Sequence, residues 1–177
     1  MNGGIERSNI EIAKLLKKNY EIHFLSLKFT SHYLNEIKEN NIKIHHMKSN
    51  RLMFSIREYI NLIKEINPSL IISLQTYTNV FCLIINYFFL PKFKIVCSER
   101  LSLETLKFSN KGKLILLLYK LFYRYASGII CISNGLKKEI EINLGKNIKN
   151  LKVIYNPTFR KDLTKLSKKK INYIFKK

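Results

Sequence analysis

Apolar and polar positions along this chain follow two rhythms that take turns. Ile5, Ile12, Leu15 and Leu16 recur at the spacing of one helix face, which predicts an amphipathic helix from Gly4 to about Lys18. "YEIHFLSL" follows, rich in aromatic and β-branched residues, and predicts a strand. A polar helix near His32–Asn40 and a short strand "IKIHH" come next. A further helix runs from about Met53 to Ile66 and stops at Asn67-Pro68, where the proline restricts the residue before it.

The second half repeats the alternation with more apolar strands. "SLIISL" is nearly continuous in apolar residues, as expected of a central parallel strand covered on both faces. A helix through Val80–Leu90 leads to the strand "FKIVCSE". The helix near Leu114–Ala126 precedes "GIICIS", and a helix at about Leu136–Leu144 precedes "LKVIYNP". Strands separated by helices predict an α/β fold, a parallel sheet flanked by helices. Ligands of such folds sit beyond the carboxyl ends of the strands. That places Gly3 and Gly4, Gln75–Asn79, Ser98–Arg100, Ser133–Gly135 and Tyr155–Pro157 at the candidate site.

Composition narrows the chemistry. The 177 residues carry 32 Lys+Arg against 12 Asp+Glu, a formal +20 that favours anionic partners. The abundance of Lys, Ile and Asn together is also what coding bias produces, and most lysines belong on a solvated face. Asp162 is the sole aspartate, so no Asp-x-Asp motif exists to hold a divalent metal with a nucleotide diphosphate. Cys82, Cys97 and Cys131 are far apart, odd in number and set in apolar runs, so they read as core hydrophobes in a reducing compartment. The four histidines, His23, His32, His45 and His46, lack metal-ligand spacing, and no metal site is expected. The N-terminus has no apolar signal core, and "VFCLIINYFFL" is too short to span a bilayer.

Five segments in register, "GGIERSNIEIAKLLKKNYEIHFLSL", "INPSLIISLQTYTNVFCLI", "FKIVCSERLS", "YRYASGIICISNGLKKEI" and "LKVIYNP", resemble the N-terminal domain of family 4 glycosyltransferases. Those enzymes have the two-Rossmann-domain GT-B architecture. The resemblance implies residues 1–158 as the Rossmann-like, acceptor-side domain and 159–177 as a basic linker into a second domain. It implies transfer of a hexosyl or N-acetylhexosaminyl group from a nucleotide-sugar to a lipid-linked or surface-polysaccharide acceptor. That is cell-envelope chemistry such as lipopolysaccharide synthesis, carried out in the cytoplasm at the inner face of the membrane, with no cofactor beyond the nucleotide-sugar and no metal.

Residue by residue, the resemblance implies that Gly3 and Gly4 approach the donor diphosphate with their backbone; an ordinary turn is the plainer alternative. Gln75, Thr76, Thr78 and Asn79 are implied acceptor contacts, with helix capping by Thr76 or Thr78 as the alternative. Glu99 and Arg100 are implied catalytic residues pointing into the cleft. Relatives often carry histidine at the position of Arg100, whose planar fork suits a phosphate or carboxylate instead. Glu6 and Arg7 read as a surface or intrahelical ion pair, Ser133 or Asn134 as an N-cap, and Asn156-Pro157 as the interdomain hinge.

The family's first strand, which feeds the glycine turn, and its Glu-x7-Glu pair have no counterpart here. The resemblance thus implies a chain truncated at both ends, a gene fragment poorly stable and inactive alone, or one in which "INYIF" fills the vacant strand position. Membrane contact is expected through basic and aromatic surface near Lys111–Arg124. A partner bearing the missing domain is expected to be encoded separately. A non-catalytic basic module binding anionic lipid or nucleic acid is the competing reading; it needs only the +20 charge, and no nucleic-acid motif supports it.

Overall fold

The alternation of periods carries over into an alternation of elements. The computed structural model describes residues 4–27, 34–49, 51–146, 148 and 150–156. In order these form α1 (Gly4–Leu16), β1 (His23–Ser26), α2 (Leu34–Glu39), β2 (Lys43–His46), α3 (Ile56–Ile66) and β3 (Ile71–Leu74). Then come α4 (Thr76–Phe89), β4 (Ile95–Glu99), α5 (Asn110–Phe122), β5 (Gly128–Cys131), α6 (Asn134–Leu144) and β6 (Leu151–Val153). Helix α3 ends as its sequence demands, but by a left-handed residue: Asn67 has φ 48° and ψ 55°, and its N–H bonds the Ile63 carbonyl. Asparagine tolerates that conformation, so the stop precedes Pro68 without extended backbone.

All strand pairs are parallel, as expected, but the single sheet is not. Among the described residues the strands form two sheets, β1-β2 and β3-β4-β5-β6. Among the described residues strand β3, expected to be central, pairs only with β4, and Leu70 is 46% and Ile72 43% exposed. An apolar run records a preference for burial; it does not record which neighbour provides it.

The four-stranded sheet carries the larger core, in which Leu83, Ile95, Tyr119, Tyr123, Ile129 and Ile140 are almost wholly buried. Cys82, Cys97 and Cys131 are free thiols inside it, and burial pushes all three up in pKa. Helix α5 packs so closely on the 3-10 turn Leu103–Phe108 that a Cβ on Gly112 would sit 2.1 Å from the Leu106 carbonyl oxygen. The β1-β2 sheet has a separate small core of Ile10, Ala13, Ile37 and Ile42. Arg7, Glu11, Lys14 and Glu36 form an ion-pair network across α1 and α2. Arg7 therefore reaches Glu11 and Glu36.

Candidate functional site

Strand β4 delivers Glu99 and Arg100 to the carboxyl end of the larger sheet, and the two side chains go opposite ways. Glu99 is completely buried. Its carboxylate accepts from Thr76 Oγ1 at 2.7 Å, from Asn79 Nδ2 at 2.8 Å, and from the Tyr123 hydroxyl. Burial raises the Glu99 pKa, and the three donors oppose that shift. The expected orientation of Glu99 into the cleft, and of Thr76 and Asn79 toward an acceptor, is thus corrected: all three are buried and bonded to one another. The cause is the start of α4 at Thr76, which turns positions 76 and 79, on one helix face by their spacing, in toward β4. That spacing was the available signal; Tyr123, the third donor, had none.

The other predicted contacts of this loop differ. Gln75 is exposed and sits at φ 79°, ψ 142°, a region that costs a non-glycine residue about 1–3 kcal/mol and clusters at functional sites. Thr78 does not cap α4: its hydroxyl donates to the carbonyls of Leu74 and Gln75, and Gln75 occupies the cap position without a side-chain bond. Gln75 and the half-exposed Tyr77 are left to face outward at this strand end.

Arg100 is 8% exposed. Its Nη2 donates to Asn9 Oδ1 of α1 at 2.8 Å and its Nη1 to Asn156 Oδ1 beyond β6 at 3.2 Å, while Nε has no partner among the described residues. Burial lowers its pKa, and among the described residues no carboxylate pairs with it. One buried cation thereby joins the first helix, the end of β4 and the expected hinge residue. Asn9, its best-placed partner, was invisible in the sequence because the contact spans 91 positions.

Beside Arg100 lies a recess of about 210 Å³ lined also by Ser102, Ser133, Gly135 and Glu139. Ser133 caps α6, its hydroxyl accepting from Leu136 N at 3.1 Å, so the positive end of that helix faces the recess. Glu139 in the same lining accepts from Ser102 Oγ and Leu103 N, each at 2.9 Å. Asn134 donates to the Tyr155 hydroxyl. Gly4 is the first residue of α1, whereas Gly3, Pro157 and the whole 159–177 segment with "INYIF" and Asp162 lie outside the described residues. Away from the site, His23 and His45 stack with ring centroids 5.1 Å apart. Among the described residues no three His, Cys, Asp or Glu side chains converge as metal ligands, and no helix is long and apolar enough to cross a membrane.

The family model described as Glycosyltransferase Family 4 matches residues 2–158. No curated protein sequence matches the chain. Among solved structures, Anabaena HepE in complex with UDP-glucose superposes with a TM-score of 0.67 at 19% identity, over 88% of this chain and 41% of that one. HepE with UDP and glucose gives 0.66 at 18% over the same shares. The apo form of the lipopolysaccharide outer core galactosyltransferase WaaB gives 0.63 at 20%, over 88% and 43%. These likenesses establish the fold, and the chain spans about two-fifths of each structure.

Proposed function

The chain belongs to glycosyltransferase family 4, and from that premise we propose that it forms the acceptor-side part of an enzyme moving a sugar from a nucleotide-sugar to a lipid-linked or surface-polysaccharide acceptor. The observation that carries this is Arg100, a buried cation whose partners are two neutral amide oxygens, beside an open recess at the strand ends. A buried charge without a counter-ion is costly, and the phosphate of a polyprenyl-type acceptor or of the donor would supply one. The names of the neighbours support the class: HepE binds UDP-glucose and UDP, and WaaB is a galactosyltransferase of lipopolysaccharide.

In this reading the α6 N-terminus and Arg100 stabilise negative charge on the phosphate electrostatically, and Gln75 and Tyr77 align the acceptor sugar. Glu99 acts as a positioning residue that fixes the end of β4 beneath Arg100. Gly3, Gly4 and the Asn156-Pro157 hinge belong to the donor side and the domain junction. The family match ends at residue 158, which supports the proposed boundary there. Residues 159–177 form the linker to a second domain that provides most donor contacts. The 177 residues alone bind acceptor but transfer nothing. With one aspartate in the chain, diphosphate departure is assigned to protein cations and helix dipoles. The work is done at the cytoplasmic face of the membrane.

Calorimetric titration with a short-chain polyprenyl-diphosphate-linked sugar tests the proposal. Saturable binding that falls at least about tenfold in Arg100→Ala, one charge-assisted contact's worth, is expected. Equal binding by both proteins would overturn it. Binding to any polyanion, duplex DNA included, with a steep salt dependence would instead favour the basic module.

A further inference from the structure

The recess at the strand ends holds two opposite charges that do not meet. Arg100 and Glu139 both line it, yet among the described residues no ion pair joins them. Each is tethered elsewhere: Arg100 by its Nη2 and Nη1 to Asn9 and Asn156, and Glu139 by its Oε2 to Ser102 Oγ and Leu103 N. Glu139 Oε1 accepts from none of the described residues. The start of α6 adds further donors. Ser133 Oγ takes Leu136 N, while the N–H groups of Asn134 and Gly135, the first of the helix, have no carbonyl within it to receive them. With the buried Arg100, whose Nε is unpartnered among the described residues, they form an anion cradle. Glu139 stands one turn further along α6, four residues after Gly135. A helical side chain leans toward the start of its helix, and Gly135 leaves that space open: outside the helix backbone, a Cβ there would approach only Ser133 Oγ, at 3.9 Å.

We infer that Glu139 is a specificity-determining residue: it accepts a sugar hydroxyl while Arg100 and the start of α6 hold the phosphate joined to that sugar. The recess thus takes a glycosyl phosphate. A carboxylate beside an anion cradle weakens the hold on a bare phosphate, and only a ligand that brings its own donor offsets the repulsion. Fixing the Leu103–Phe108 turn requires one oxygen of Glu139, and the second is left for that donor. The inference rests on Arg100 being an anion site and deepens that reading by naming the group next to the anion.

Calorimetric titration of the whole chain with methyl phosphate and with glucose 1-phosphate separates the phosphate contact from the hydroxyl contact. Both ligands should bind, glucose 1-phosphate about tenfold more tightly, as one hydrogen bond to a charged group provides. Glu139→Gln keeps an oxygen for Ser102 and Leu103 but offers the recess an amide NH2 in place of an acceptor. The variant should bind the two ligands equally, hold methyl phosphate no more weakly than the parent, and keep the parent's thermal midpoint. Equal affinities in the parent, or a parallel loss of both ligands in the variant, overturn the inference and leave the anion site standing. Failure of the parent to bind either ligand overturns both readings. Displacement of glucose 1-phosphate by a short-chain polyprenyl-diphosphate-linked sugar assigns the glycosyl phosphate to the acceptor, and displacement by a nucleotide-sugar assigns it to the donor. Displacement by neither overturns the inference.

Discussion

The two sheets solve the burial of polar groups in opposite ways. The four-stranded unit keeps its polar residues inside: Glu99, Thr76, Asn79 and Tyr123 bond to one another within a large apolar core. The two-stranded unit has four core residues and places its charges outside, in the Arg7–Glu11–Lys14–Glu36 network and the Glu21–Lys43 pair. A two-stranded sheet is marginal by itself, so its order depends on α1, α2 and the junction. Arg100 stands at that junction, bonded to α1 on one side and to the end of β6 on the other. The comparison teaches that the polar groups inside the larger unit are structural, while the charge left unspent lies between the units.

The strongest way to break this contrast is Glu99→Ala, which strands three buried donors. At about 1–3 kcal/mol for each unsatisfied group, a total near 3–5 kcal/mol is expected from urea unfolding; a loss below 1 kcal/mol would mean the carboxylate is dispensable. Gly112→Ala forces a methyl onto the Leu106 carbonyl and should cost about 1–3 kcal/mol by overpacking. A neutral or stabilising effect in thermal unfolding would contradict the close approach. In the smaller unit Glu36→Gln removes two partly exposed ion pairs and should cost only about 0.5–1 kcal/mol. An effect equal to that of Glu99→Ala would erase the distinction.

The units should also respond to pH with opposite signs. Burial raises Glu99 above its ordinary 4.5, so the folded state holds that proton more tightly. Its contribution is full below 4.5 and is lost as pH rises through the raised value. Burial and the neighbouring His23 lower His45 below its ordinary 6.5, with Glu65 opposing. Its contribution is full above 6.5 and is lost as pH falls through the lowered value. Hydrogen-exchange protection, corrected for intrinsic rates, should therefore fall on acidification in β2 and not in β4. Parallel trends in both strands would break the comparison.

Much of the fold was legible in the alternation of periods. Every described strand lies within or overlaps a stretch such as "IKIHH", "FKIVCSE" or "GIICIS", and Ser133 caps α6 as a serine before a helix should. What failed depended on register and on distant partners. Whether Thr76 faces a ligand or the core turns on a helix start a few residues earlier than Val80, and the apolarity of "SLIISL" is silent on its second neighbour. The Arg100–Asn9 and His23–His45 contacts join residues far apart in sequence, beyond the reach of any local pattern.

The central claim is that Arg100 and the strand ends around it receive an anionic group. Amide chemical-shift mapping by NMR, titrating a polyprenyl-diphosphate-linked sugar into the chain and into Arg100→Ala, tests it most directly. The account predicts saturable shifts at residues 75–77, 100–102 and 133–136 that vanish in the variant. Shifts spread over the lysine-rich surface and unchanged in Arg100→Ala would contradict it.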